Sequence, residues 1–212
     1  MQFIFEVKKA SPSKGLIAEH CPYVEIAKEC EAAGAAAILV LTETDYFLGD
    51  DRYLRQIYEA VGTPLLRKDF TIDAYQIYQA KTLGAGAVLL ICAILDEEKI
   101  HSFIEICDRL GMSALVEAHD PDEVRMASRA GARIIGVNNR NLKDFTVDIH
   151  NSLRLRELVP ENILFVAESG ISMPEDIKEL REGGVSGVLI GESLMRAKDK
   201  KAMLDYLGGT AS

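Results

Sequence analysis

The sequence predicts an α/β protein of one domain, with residues 1–212 folded as a single (β/α)8 TIM barrel. Three observations predict it. Short β-rich apolar runs alternate with helical patterns from end to end, and eight such pairs fit the chain at about 25 residues each. No proline-rich linker, composition break or low-complexity stretch divides them. A polar or charged residue stands at the carboxyl end of most strands, which an open doubly wound sheet, the competing architecture, does not require.

The first strand is expected over 3–8. Its period-two alternation puts Phe3, Phe5 and Val7 on one face and Ile4, Glu6 and Lys8 on the other. A helix follows at about 22–33. Strand two, 36–42, ends in Thr42-Glu43 and sets Leu39, Leu41 and Glu43 on one face; its helix spans 51–61. Strand three, 64–68, runs on so that Leu66, Lys68 and Phe70 share a face, and a helix is expected at 73–83. Strand four covers 86–91 and its helix 96–110. Strand five, 112–117, brings Glu117 into line with Leu115; helix 120–130 opens on Asp120-Pro121-Asp122-Glu123, a capping box with proline in the first turn. Strand six, 133–138, has Asn138 and Arg140 in step, before a helix at 149–158. Strand seven, 163–168, ends in Glu168-Ser169-Gly170, and Ser172-Met173-Pro174-Glu175 reads as a second capping box opening helix 174–183. Strand eight, 187–190, leads into Gly191-Glu192-Ser193 and a last helix at 199–207. Gly34, Gly84, Gly111, Gly131 and Gly183 fall where helices close in a left-handed residue.

A net charge of −9 argues against nucleic acid or an anionic membrane surface as the main partner, but not against an anionic small molecule met by a local basic cluster. Cys21, Cys30, Cys92 and Cys107 form no C-x-x-C pair and lie in apolar runs, as buried thiols of a cytoplasmic protein would. No apolar run approaches the roughly 18 residues of a membrane span, and no signal peptide is recognisable.

In a barrel every strand end opens onto one face. Glu6, Lys8, Lys68, Glu117, Asn138, Arg140 and Glu168 would therefore meet there, and apolar residues would stabilise an unliganded mouth at least as well. The set implies a ligand, whereas Glu43 and Arg67 read equally well as structural. The turns Ser169-Gly170 and Gly191-Glu192-Ser193, after the last two strands, stand where many barrels bind phosphate through backbone N–H groups. His20, His101 and His150 read as solvated positions. His119 has no second metal ligand at useful spacing, so no metal site is expected.

These segments together resemble the indole-3-glycerol phosphate synthase family. The likeness rests on Glu6 to Gly15 (EVKKASPSKG), Val40 to Glu43 with Tyr46-Phe47, and Leu66 to Phe70 (LRKDF). It continues through Leu115 to Glu117, Gly136 to Leu142 (GVNNRNL), Ala167 to Ile171 (AESGI) and Leu189 to Met195 (LIGESLM), and so spans the whole chain. The resemblance implies a lyase that closes the pyrrole ring of 1-(2-carboxyphenylamino)-1-deoxyribulose 5-phosphate and releases CO2 and water, without a cofactor. It implies Lys68 as the acid of ring closure, assisted by Lys8, and Glu117 as the base of dehydration. Glu6 and Glu168 would hold hydroxyls and lysines, and Asn138 and Arg140 would orient the intermediate. Ser169, Gly170, Gly191 and Glu192 would bind phosphate, with Ser11 added from the same motif as Lys8. Pro12, Phe47, Phe70 and Leu142 would hold the anthranilate ring.

Two departures from the family stand out. Relatives carry a leading segment of a few dozen residues with an extra helix, and here strand one begins almost at Met1, so that helix is expected to be absent. Leu39 stands where relatives often have serine, and its bulk would either crowd the pocket or repack the barrel interior. The alternatives are another phosphate-binding barrel of the phosphoribosyl isomerase type, or a barrel that binds phosphate esters with little turnover. A monomer or weak homo-oligomer is expected.

Overall fold

The computed structural model describes residues 1–11, 15–16, 21–141, 146–197 and 199–209, with backbone only at Ser11 and Leu16. Eight parallel strands close into a barrel: β1 (Gln2–Val7), β2 (Ala37–Leu41), β3 (Leu65–Lys68), β4 (Ala87–Ile91), β5 (Ser113–Ala118), β6 (Ile134–Asn138), β7 (Leu164–Glu168) and β8 (Gly187–Ile190). Neighbours in sequence are neighbours in the barrel, and β1 closes the ring by pairing Gln2 with Gly187 on β8 and Ile4 with Ala37 on β2. A two-stranded ribbon, Ala10–Ser11 against Gly15–Leu16, stands beyond β1.

The helices lie outside: α1 (Tyr23–Ala33), α2 (Asp51–Tyr58), α3 (Ala74–Thr82), α4 (Glu97–Arg109), α5 (Pro121–Arg129), α6 (His150–Arg156), α7 (Pro174–Glu182), α8 (Glu192–Arg196) and α9 (Lys200–Gly208). Strand and helix ends fall within about three residues of the sequence reading, the ordinary uncertainty of frayed termini.

Strand alternation divides the apolar side chains into two cores. Phe5, Ile38, Val88, Val116, Ile135, Phe165 and Val188 face outward and pack under the helices. Leu39, Leu41, Leu66, Leu89, Leu115, Val166 and Leu189 face inward and plug the barrel. Leu39 is fully buried in that plug and does not line the mouth, so its bulk fills the interior. The inward positions one step further along the strands are the polar ones.

Three local readings need correction. Ser172 does not cap α7: Met173 occupies the cap position, and the Asp176 carboxylate accepts the backbone N–H groups of Ser172 and Met173. Gly183 has an ordinary φ of −75°, and the left-handed residue is Gly184, one place later, at +78°. A Cβ at 183 would sit 2.3 Å from Leu153 Cδ2, so a larger residue there would displace that side chain. Asp120 caps α5 as expected, accepting from Asp122 and Glu123, but the Glu123 carboxylate reaches back to His119 rather than to the cap residue.

Candidate active site

The carboxyl ends of the strands surround a cavity of about 810 Å3. Glu6, Lys8, Lys68, Glu117, Asn138, Arg140 and Glu168 all line it, together with Ser169, Gly170, Gly191, Glu192, Phe47 and Phe70. Pro12 and Leu142 lie outside the described residues, as does the Ser11 side chain. Sequence reasoning did not single out Tyr46, Ile94 or Arg196, which also line the cavity. Arg196 had a signal, since it stands four residues after Glu192 on a helical stretch, and its Nε lies 3.3 Å from the Glu192 carboxylate.

The charges are arranged in short links. Lys8 Nζ lies 2.5 Å from Glu6 Oε2, and Lys68 Nζ lies 3.9 Å from Glu117 Oε2. Asn138 donates to Glu117 Oε1 at 3.4 Å and accepts the Arg140 backbone N–H at 3.0 Å. Glu117 Oε2 and Glu168 Oε1 are buried with no hydrogen-bond partner among the described residues. A buried carboxylate oxygen without a donor costs free energy that a substrate hydroxyl or amine recovers on binding.

Two glycines make room for these carboxylates. A Cβ at Gly136 would sit 2.0 Å from Glu168 Oε1, and one at Gly191 would sit 2.0 Å from Glu6 Oε2. Each is required by a side chain on a neighbouring strand rather than by its own backbone angle.

Proximity sets the protonation states. Burial opposes the charge on Glu6, but Lys8 and Lys68 outweigh it and hold the carboxyl below its ordinary range. Burial likewise disfavours ionised Glu117, yet Lys68, His119 and Asn138 bring it well below the usual carboxylate range. Glu168 goes the other way. Burial and the neighbouring Glu117 charge push it up to about 8, with Lys68 only partly compensating. Lys68 is desolvated, but Glu117, Glu6 and Glu168 together raise its pKa, so it stands as an ammonium.

Glu43 and Arg67, which read equally well as structural, both make structural bonds, and Glu43 also lines the cavity. The Glu43 carboxylate accepts the backbone N–H groups of Asp45, Tyr46 and Phe47 at 2.8–3.0 Å and shapes the loop that carries Phe47. Arg67 faces out of the barrel, bonded to Thr42, Asp51, Asp69, Gln79 and the Gln76 carbonyl. Buried Asn139 fixes the turn after β7: it donates to the Ser169 carbonyl at 3.2 Å and accepts from Ser152 N–H and Oγ. Ser169 and Gly170 then take successive positive φ angles of 67° and 81°. A left-handed serine costs roughly 1–2 kcal/mol, which the Asn139 anchor holds in place.

Residues 1–207 match the family model for indole-3-glycerol phosphate synthase. The chain belongs to that family. The indole-3-glycerol phosphate synthase of Ruminiclostridium cellulolyticum is 61% identical over 211 residues, covering 100% of this chain and 81% of that protein. That of Lachnoclostridium phytofermentans is also 61% identical, over 98% of this chain and 76% of its own length. Among solved structures, 3-hexulose-6-phosphate synthase from Salmonella typhimurium superposes with a TM-score of 0.79 at 16% identity, covering 100% of this chain and 98% of its own. The N-acetylmannosamine-6-phosphate 2-epimerase of Clostridium perfringens gives 0.70 at 14%, over 92% of this chain and 88% of its own. At those identities the likeness speaks for the barrel alone. As an indole-3-glycerol phosphate synthase, the chain is a carboxy-lyase of tryptophan biosynthesis that acts on a phosphorylated small molecule. No helix among the described residues is long and apolar enough to cross a membrane.

Proposed function

We propose that Lys68 and Glu117 perform the proton transfers of the synthase reaction, with the other strand-end residues holding the substrate between them. The observation that carries this reading is their ion-pair link across the cavity at 3.9 Å, beside a buried carboxylate oxygen that lacks a donor. In the first step the ring carbon bearing the carboxylate attacks the ketone carbon of the sugar, and Lys68 gives its proton to the ketone oxygen, forming a hydroxyl. The carboxylate carbon then leaves as CO2, and the bonding pair restores the aromatic ring. In the last step Lys8 gives a proton to the hydroxyl, which departs as water, while Glu117 takes a proton from the neighbouring carbon and the pyrrole double bond forms. These are proton transfers throughout, of the kind that positioned lysines and carboxylates accelerate by about 10²–10⁴-fold.

Lys8, paired with Glu6, is placed to bond the sugar oxygens and to assist the departure of water. Glu168, protonated below about pH 8, can donate as well as accept a hydrogen bond there. Asn138 and Arg140 line the same wall and would orient the intermediate. The turns Ser169-Gly170 and Gly191-Glu192, with Arg196 beside them, form the end of the cavity that suits phosphate. Phe47 and Phe70 offer an apolar face to the anthranilate ring. Residues 1–212 serve this one site as one domain. The four free thiols and the biosynthetic role support a cytoplasmic enzyme. Exposed large apolar side chains such as Ile72, Leu158 and Tyr206 are scattered over separate elements, which favours a monomer or weak homo-oligomer.

The chain contains no tryptophan, so indole fluorescence reports product on a dark background. Adding the carboxyphenylamino-deoxyribulose phosphate is expected to raise that signal with turnover. Binding without fluorescence would instead favour a phosphate-ester binder, and neither response would favour an isomerase of another phosphorylated sugar.

A further inference from the structure

His119 lies one step beyond Glu117 along the inward-facing alternation, just past the end of β5, and does not line the cavity. Its Nε2 lies 3.2 Å from Glu117 Oε1, the oxygen that also receives Asn138, an ion-pair contact that is not aligned as a hydrogen bond. Its Nδ1 lies 3.1 Å from Glu123 Oε2, and the same oxygen accepts the His119 backbone N–H at 2.7 Å. Glu123 is fixed in turn by the first turn of α5, where Asp120 accepts its backbone N–H. An imidazole with a carboxylate hydrogen-bonded at one nitrogen and a second at ion-pair distance from the other is stabilised as the imidazolium.

We infer that His119 is a positioning residue: clamped by Glu123, it presents Glu117 to the substrate in one orientation and keeps it ionised until it takes its proton. The groups that face this pair agree with the assignment. Lys68 from β3 meets the other Glu117 oxygen, while Glu6 from β1 and Glu168 from β7 add negative charge across the mouth. Asn138 from β6 is neutral, and on the α5 side Cys92 feels the charges of Glu123, Glu117 and Asp120. Glu117 and then Glu123 hold the ring as an imidazolium, up to about 10, against the effect of burial. Lys68 and His119 thus divide the work on Glu117. Lys68 stands 3.9 Å from Oε2, too far for a hydrogen bond, and His119 stands beside Oε1, so Oε2 keeps its hydrogen-bonding capacity for the substrate.

This rests on Glu117 being the base, and the test separates the two statements. His119→Gln is expected to lower kcat on the order of tenfold, with KM within about twofold, because a slightly misplaced base loses rate rather than affinity. The same substitution made in a Glu117→Gln background is expected to change kcat no further, since there is no carboxylate left to position. Glu123→Gln, which leaves the imidazole in place, is expected to lower kcat about threefold in the parent and not in the Glu117→Gln background. Histidine-ring NMR of the parent gives a second readout, with the signal missing from His119→Gln titrating well above the ordinary 6.5. If His119→Gln does not fold, Glu123→Gln and the ring titration decide the matter. An equal fall in both backgrounds, an unchanged kcat in the foldable variants, or a ring titrating near 6.5 overturns the inference. Full activity in Glu117→Gln alone would overturn the assignment of the base instead.

Discussion

Arg67 and Lys68 are adjacent on β3, and alternation sends them to opposite sides of the barrel wall. Outside, Arg67 is almost fully buried but meets two carboxylates, a hydroxyl, an amide oxygen and a backbone carbonyl. Inside, Lys68 faces three carboxylates that share it, and two of their oxygens have no donor among the described residues. The outer network is complete without a ligand, and the inner cluster is not. A fold selected only for stability would have no use for the second arrangement, so the difference marks which charges belong to the barrel and which to its substrate.

The largest effect expected on the inner side is from Lys68→Met. Loss of the acid should lower kcat by about 10²-fold or more. It should also lower Tm, because Glu6, Glu117 and Glu168 lose the cation they share. A variant with full stability and full activity would erase the distinction between the two networks.

A smaller effect sharpens the same contrast through pH. Glu168 is held up to about 8 in the folded chain, against an ordinary 4.5. Between those values the folded protein keeps a proton that the unfolded chain has lost, so its stabilising contribution fades as pH rises from 4.5 to 8. Glu168→Gln imitates the protonated form. The difference in Tm between variant and parent should therefore grow in the variant's favour across that window and stay flat below it. A constant difference would mean that Glu168 is ionised like a surface carboxylate.

The fold was legible because its signals are local: alternation in Phe3 to Lys8 or Leu66 to Phe70 assigns each side chain to a face without any knowledge of neighbours. The convergence of Glu6, Lys8, Lys68, Glu117 and Glu168 followed, since a closed barrel has one mouth. Contacts between distant segments were not legible. Arg67 finds Asp51 and Gln79 on two helices, and Gly136 is required by a carboxylate on the adjacent strand. His119 was a different kind of miss. It is in step with Glu117, and Glu123 follows four residues later, but weighing the histidine only as a metal ligand hid its relation to both carboxylates. Asn139, out of step with Asn138 and Arg140, acts through the loop beyond β7, which no period in its own strand reveals.

The most direct measurement is kcat and Tm taken side by side for Glu117→Gln and Arg67→Met. Glu117→Gln should lose about 10²-fold or more in kcat with a smaller fall in Tm than Arg67→Met, because Lys68 keeps Glu6 and His119 keeps Glu123 as partners. Arg67→Met should lose about 3 kcal/mol of stability, roughly 6–12 °C in Tm, with kcat of the folded enzyme near that of the parent. An active Glu117→Gln enzyme, or an Arg67→Met enzyme as stable as the parent but inactive, would contradict the division of charges described above.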